Sequence, residues 1–406
     1  MELWNNLVSL CIMKAPGVAQ KRYLVVKAMA TFLSLIFAFA YSRQLGVVNR
    51  SILAFVFTLS SLIWVFLTSG TTLTLRKNQP DVNSRTFASF QTLLLTQLLI
   101  GLSVFSLGLF LFSTFKTPIP VPLLFASYLY FVSSGLAMLL VEVSLAYFDF
   151  KISGYLELAA VAFQILLYFI VLIPVDLTVA VKLILSFISS YAFISLIFLR
   201  RFRMLLGASL KFSSPLIFFK LTEGNHSLGI SLGVMDRLDR LIIAFAFPTG
   251  ILAKYSVMSS LISYFRFVPD FLSRVLIARN DSIYFELRKH RRIVILGILL
   301  MGSIMIFSAQ SLIRIFLGSS WALSIGIVIA FAIQELVRGT YQLTLNMIIK
   351  KGHTDSAKYV PWILILAVLP IATLAIKLFG LIGVPLSFSA VFLLASIVGN
   401  RWRNNV

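Results

Sequence analysis

Twelve apolar runs, most of them about twenty residues long or more, follow one another along this chain with short polar breaks between them. They lie at about 23–42, 51–74, 88–113, 121–147, 154–174 and 177–199, then at 227–248, 251–272, 293–317, 321–347, 359–377 and 380–398. A helix crosses the hydrocarbon core of a bilayer with about 20 apolar residues, so the runs are long enough to span. Backbone N–H and C=O groups find no water at that depth, so such runs satisfy themselves as helices. The stretch 154–199 must be two of them, turning at Pro174-Val175-Asp176. Hydrophobic residues make up 59% of the 406 and charged residues 12%, against about 45–50% and 25% in soluble domains. A soluble globule could not hide that much apolar surface. The sequence predicts an all-α integral membrane protein of twelve transmembrane helices. It excludes a soluble enzyme and a disordered chain.

Charge fixes the expected orientation. The chain carries 35 Lys and Arg against 14 Asp and Glu. In a soluble protein that excess would point to nucleic acid, but here the cations sit mostly between apolar runs, so no nucleic-acid partner is expected. Sorting them by loop puts 23 on one side, from Lys14, Lys21 and Arg22 through Arg200, Arg201 and Arg203 to Arg401 and Arg403. The opposite loops hold only Arg43, Arg50, Lys116 and Lys377. By the positive-inside rule both termini of this multi-pass protein are cytoplasmic. All outer connections are short, and Leu3–Met13 reads either as an interfacial amphipathic segment or as a tail. The longest cytoplasmic stretch, Arg200–His226, is read as an interfacial or broken entry into span seven. It divides the chain into six-helix lobes at 1–211 and 212–406, and an even number of spans per lobe makes the two parallel and pseudo-symmetric. One cysteine (Cys11) and three scattered histidines (His226, His290, His353) offer no disulfide and no metal motif. No cofactor is expected.

The informative residues are the charges at membrane depth, each costing about 2.5–3.5 kcal/mol unless it meets a partner or a cavity. Lys27, Lys182, Glu157 and Lys254 lie close to span ends, where snorkelling competes with a role in a lumen. Span seven carries Asp236, Arg237, Asp239 and Arg240 together. On an uninterrupted helix Asp236, Asp239 and Arg240 share an arc of about 100°, with Asp236 and Arg240 paired i,i+4. Span ten places Glu335, Arg338, Gln342 and Asn346 on one stripe about 80° wide. Both sets read either as structural glue between helices or as the lining of a hydrophilic cavity. Arg266 with Asp270 in span eight, and Glu142 in span four, would extend the same chamber. There is no HExxH, GxSxG or Walker A motif and no paired Asp on a cytoplasmic loop, so no enzyme activity is expected.

Several short motifs then resemble one family. Tyr41-Ser-Arg43-Gln-Leu-Gly46 is similar to the Arg-x-Leu-Gly signature closing the first span of polysaccharide flippases, the polysaccharide-transport branch of the superfamily that includes the multidrug (MATE) exporters. Thr68-Ser-Gly70 with Leu75-Arg76, Pro215, Asp239-Arg240-Leu-Ile-Ile243, Leu252-Ala-Lys-Tyr255-Ser and Ile315-Phe-Leu-Gly318 resemble further family segments. Ala253 stands where the family often has Gly, and Asp236 is an added charge. The resemblance implies a MATE-like bundle of six plus six helices around a central cationic cavity. It implies translocation of undecaprenyl-diphosphate-linked oligosaccharides from the cytoplasmic to the periplasmic leaflet, for O-antigen, capsule or a similar glycan, alongside glycan polymerase machinery.

Such a cargo suits the buried charges. Arg240, Arg266 and Arg338 can offer bidentate donors to a diphosphate, Gln342 and Asn346 suit sugar hydroxyls, and Lys27 is a further candidate cation. Glu142, Asp236, Asp239 and Glu335 are read either as proton- or sodium-coupling groups or as ion-pair partners. Two rival readings remain. One is a multidrug exporter of the same fold, against which three luminal arginines argue. The other is a membrane glycan polymerase or glycosyltransferase, against which the short outer loops argue.

Overall fold

The computed structural model describes residues 18–68, 84–147, 150–171, 177–201, 233–262, 291–350 and 359–404. They are helical almost throughout, without strands among them, and every one of the twelve runs contains described helix. The protein is an all-α membrane protein. Large apolar side chains such as Phe110, Phe125, Phe307 and Leu366 stand 64–78% exposed, a surface water would not tolerate but lipid does. Five helical stretches among the described residues are long and apolar enough to cross a membrane. Leu3–Met13, the Pro174 turn, the Arg200–His226 stretch beyond Arg201, the 211/212 division, Arg266 and Asp270 lie outside the described residues.

The chain forms two compact units, Gly17–Ala253 (the N-terminal unit) and one beginning at Lys254 and running to Val406 (the C-terminal unit), the boundary falling inside one helix. The N-terminal unit contains α1 (Val18–Thr68), α2 (Ser84–Phe115), α3 (Val121–Tyr147), α4 (Phe150–Leu166), α5 (Val179–Arg201) and α6 (Leu238–Ala246). Helix α7 (Thr249–Ile262) carries the boundary. Helices α8 (Arg291–Leu317), α9 (Ile325–Lys350), α10 (Tyr359–Phe379) and α11 (Gly383–Asn404) belong to the C-terminal unit.

Helix α1 shows how one sequence position sets a topology. Its 51 residues would run to about 76 Å at 1.5 Å per residue, far beyond one bilayer crossing. The run is broken at Gly46, with φ 69° and ψ 174°, a conformation that only glycine adopts cheaply. Spans one and two are thus the two legs of α1. Arg43 and Arg50, expected in a loop, are instead helical residues flanking the break. Arg50 is buried, donates from Nε to Ser42 Oγ at 3.1 Å and lies 5.1 Å from the Tyr41 ring centre, so hydrogen bonding and cation–π attraction compensate its desolvation.

Packing rather than water exclusion holds helices together in lipid, and the N-terminal unit packs densely. Helix α3 lies against α5, α1 against α4 and α2, and α6 against α1. Phe55 stacks on Phe112 at 4.1 Å and Phe105 on Phe131 at 4.7 Å, all four rings at most 1% exposed. Trp64 spends its indole N–H on the Phe131 carbonyl at 2.8 Å. In α4 the helix widens into a π turn at Leu167–Val171, where the Tyr168 hydroxyl donates to Gln44 Oε1 of α1. In the C-terminal unit α9 packs on α11, α11 on α10 and α8 on α9.

Candidate functional site in the membrane-depth charges

Span seven is not one helix. Gly233–Met235 is helical, Asp236 and Arg237 form a turn, and α6 starts again at Leu238 with Arg237 as its N-cap at φ −130° and ψ −17°. The arc expected for Asp236, Asp239 and Arg240 assumed an unbroken helix, and the turn at Asp236-Arg237 interrupts it. The break gives Asp239 a local role. It sits in the first turn of α6, 4% exposed, and its Oδ1 accepts the Arg240 backbone N–H at 2.7 Å. A carboxylate there complements the positive end of the helix and satisfies a donor the helix leaves open.

Arg237, one of the four span-seven charges, ties the break to α1. Its Nε donates to Ser61 Oγ of α1 at 2.7 Å and its Nη1 to the Gly233 carbonyl at 3.0 Å. Gly233 makes the approach fit, because a Cβ there would run into the Val65 side chain. Arg237, Asp236 and Arg240 are all half-buried. The far end of α6 is held too. Lys116 Nζ donates to the Phe247 carbonyl at 3.2 Å, and Thr117 and Thr249 share a hydrogen bond at 2.9 Å. A lysine at the negative end of a helix is favourably placed.

Around the middle of the same unit runs an aromatic cluster that sequence reasoning missed. Phe57 of α1, Tyr130 of α3, and Phe187 and Tyr191 of α5 lie with ring centres 4.7–6.3 Å apart. Tyr130 is buried, whereas Phe57, Phe187 and Tyr191 are half-buried. With 14% aromatic residues, no single ring stood out. Their convergence from three helices was not readable.

Span ten keeps its helix. Helix α9 is continuous from Ile325 to Lys350, so the stripe of Glu335, Arg338, Gln342 and Asn346 exists as a backbone feature. Glu335 and Arg338 are brought together, 3.9 Å apart and only 3–4% exposed. The Arg338 guanidinium lies 5.8 Å from the Phe392 ring centre of α11, against which Tyr341 also packs. Gln334 and Tyr341, both 2% exposed, add polar groups to this seam that the sequence reading did not single out. The side chains of Gln342, Asn346, Glu142 and Lys27 lie outside the described residues, although their backbones are helical.

These helices define an integral membrane protein with a transporter fold. More narrowly, it is the fold of the MATE transporters. One similar solved structure is a mutant of the Vibrio cholerae MATE transporter VcmN, 12% identical, matching 99% of this chain and 97% of that chain with a TM-score of 0.62. A second is a multidrug resistance MATE family transporter of the MOP superfamily in an inward-facing conformation, 13% identical over 97% of this chain and 96% of that one, TM-score 0.65. A third is a MATE in complex with MaD5, 12% identical over 94% and 92%, TM-score 0.60. These solved proteins are transporters rather than enzymes. No protein-family model matches the chain, and no curated protein matches it either.

Proposed function

We propose that this protein is an exporter that flips undecaprenyl-diphosphate-linked oligosaccharides from the cytoplasmic to the periplasmic leaflet of the bacterial inner membrane. The observation that carries the reading is the set of arginines held inside membrane-spanning segments. Arg237 and Arg240 stand half-buried at a helix break, and Arg338 is buried on α9. Such costly cations are retained where anionic cargo is handled, and guanidinium forks match phosphate oxygens. An inside-negative potential moves an anion outward with about 2.3 kcal/mol per charge per 100 mV, so a headgroup with two charges needs no ATP site. Arg266, Lys27, Gln342 and Asn346 complete the proposed cargo path. Glu142, Asp236, Asp239 and Glu335 serve as ion partners or as a route for H+ or Na+ coupling, and the glycan is then taken up by polymerase machinery. The six-helix lobes 1–211 and 212–406 would alternate access with both termini cytoplasmic.

Replacing Arg240 or Arg338 by Ala and following surface glycan at matched protein level tests this, with reduced glycan expected in both. Normal glycan in both variants overturns the assigned roles. A second reading, export of multidrug-type compounds, has one observation in its favour: the similar multidrug resistance transporter noted above. Deletion would then shift drug sensitivity and leave glycan unchanged.

A further inference from the structure

The ring cluster of the N-terminal unit is unlike the cores around it. Phe55, Phe105, Phe112 and Phe131 are sealed at 0–1% exposure, whereas Phe57, Phe187 and Tyr191 stay partly open. They are also unlike the lipid-facing rings, because polar groups surround them. Ser61 lies one turn from Phe57 on α1, on the same face, and holds Arg237 at 2.7 Å. Two hydroxyls, a serine and a guanidinium do not face hydrocarbon without large cost. Half-buried rings thus stand beside a half-buried serine and guanidinium at mid-helix within this unit.

The cluster's chemistry narrows the occupant. Aromatic faces carry negative potential, and the C–H faces of a pyranose ring carry the complementary positive edge. Tyrosine hydroxyls, a serine and an arginine supply the donors and acceptors that sugar hydroxyls need. We propose that Phe57, Tyr130, Phe187 and Tyr191, with Arg237 beside Ser61, form a sugar-stacking subsite that grips the glycan of the cargo. This rests on the flippase reading and adds to it a place for the sugar, separate from the Arg240 and Arg338 contacts to diphosphate. The subsite sets preference among glycans, while the diphosphate contacts are common to all of them.

The test uses the full-length protein in nanodiscs and two short-chain probes, farnesyl diphosphate bearing a disaccharide and farnesyl diphosphate alone. The wild type binds the sugar-bearing probe about tenfold more tightly, and Tyr191→Ala and Phe187→Ala erase that difference without changing affinity for the bare diphosphate. Tyr191→Phe keeps most of it, because the ring face remains. Phe187→Leu, which keeps apolar volume but no ring face, replaces Phe187→Ala if that variant does not elute as a folded species. Unchanged preference for the sugar-bearing probe in the Ala and Leu variants overturns the subsite and leaves the flippase reading standing. A wild type that binds neither probe but takes up tetraphenylphosphonium overturns both.

Discussion

Span seven and span ten each carry acids and bases at membrane depth, and the structure resolves them in opposite ways. In span ten the helix never stops, so Glu335 and Arg338 are side chains on a continuous surface, pressed together and buried near Phe392. In span seven the helix stops at Asp236-Arg237, and part of the charge serves the backbone that the break exposes. Buried charge on an intact helix is a side-chain problem, answered by pairing. Charge at a break is first a backbone problem, answered here by Asp239 accepting the Arg240 N–H and by Arg237 donating to the Gly233 carbonyl. Arg237 and Arg240, half-buried, fit the second description; Arg338, 3% exposed, fits the first.

The largest expected effect breaks the pair in span ten. Glu335→Ala leaves the Arg338 guanidinium buried without that neighbour and should cost about 3–5 kcal/mol, whereas Glu335→Leu with Arg338→Met should be far milder. Thermal unfolding of the purified variants measures both, and a double variant no better than the single would remove the pairing argument. In span seven the effect should fall on activity. Arg237→Ala removes a half-buried cation held at the Ser61 hydroxyl, so on the flippase reading glycan export should drop roughly tenfold or more at near-normal protein level. If Arg237→Ala instead loses stability and keeps export, the two regions are alike after all.

Smaller changes sharpen the contrast between broken and unbroken helices. Gly46→Ala forces a non-glycine residue into the conformation at the α1 break and should cost about 1–3 kcal/mol, readable as a lowered midpoint. Lys116→Met removes the cation at the end of α6 and should cost only about 0.3–1 kcal/mol. That loss should shrink in high salt if the ammonium is solvated, and persist if the site is dry.

Much of the fold was legible because the bilayer imposes a length on each run. All twelve runs contain described helix, and Gly318 at φ 98° closes α8 directly after Leu317. Breaks inside a run were not legible. Asp236-Arg237-Leu-Asp239-Arg240 has the spacing of a helical ion-pair ladder, and nothing in residue type says that the backbone turns there. Arg43 and Arg50 likewise read as loop residues because charge normally ends a span. For the candidate site, the closeness of Glu335 and Arg338 on α9 followed from periodicity. The aromatic cluster depends on three helices meeting, which periodicity along one helix cannot express.

The contacts at the far end of α6 also bear on how the chain is made. The Ser51 hydroxyl donates to the Thr249 carbonyl, 198 residues further along, and accepts the Ala253 N–H at 3.1 Å. At about 5–20 residues per second of synthesis, Ser51 waits on the order of 10–40 s in the membrane before its partners leave the ribosome. During that interval the Ser51 and Lys116 side chains must be accommodated by lipid headgroups, water or the insertion machinery. A nascent chain halted at residue 211 therefore exposes polar contacts that a chain halted past residue 253 has closed, and quality-control proteases would meet two different substrates.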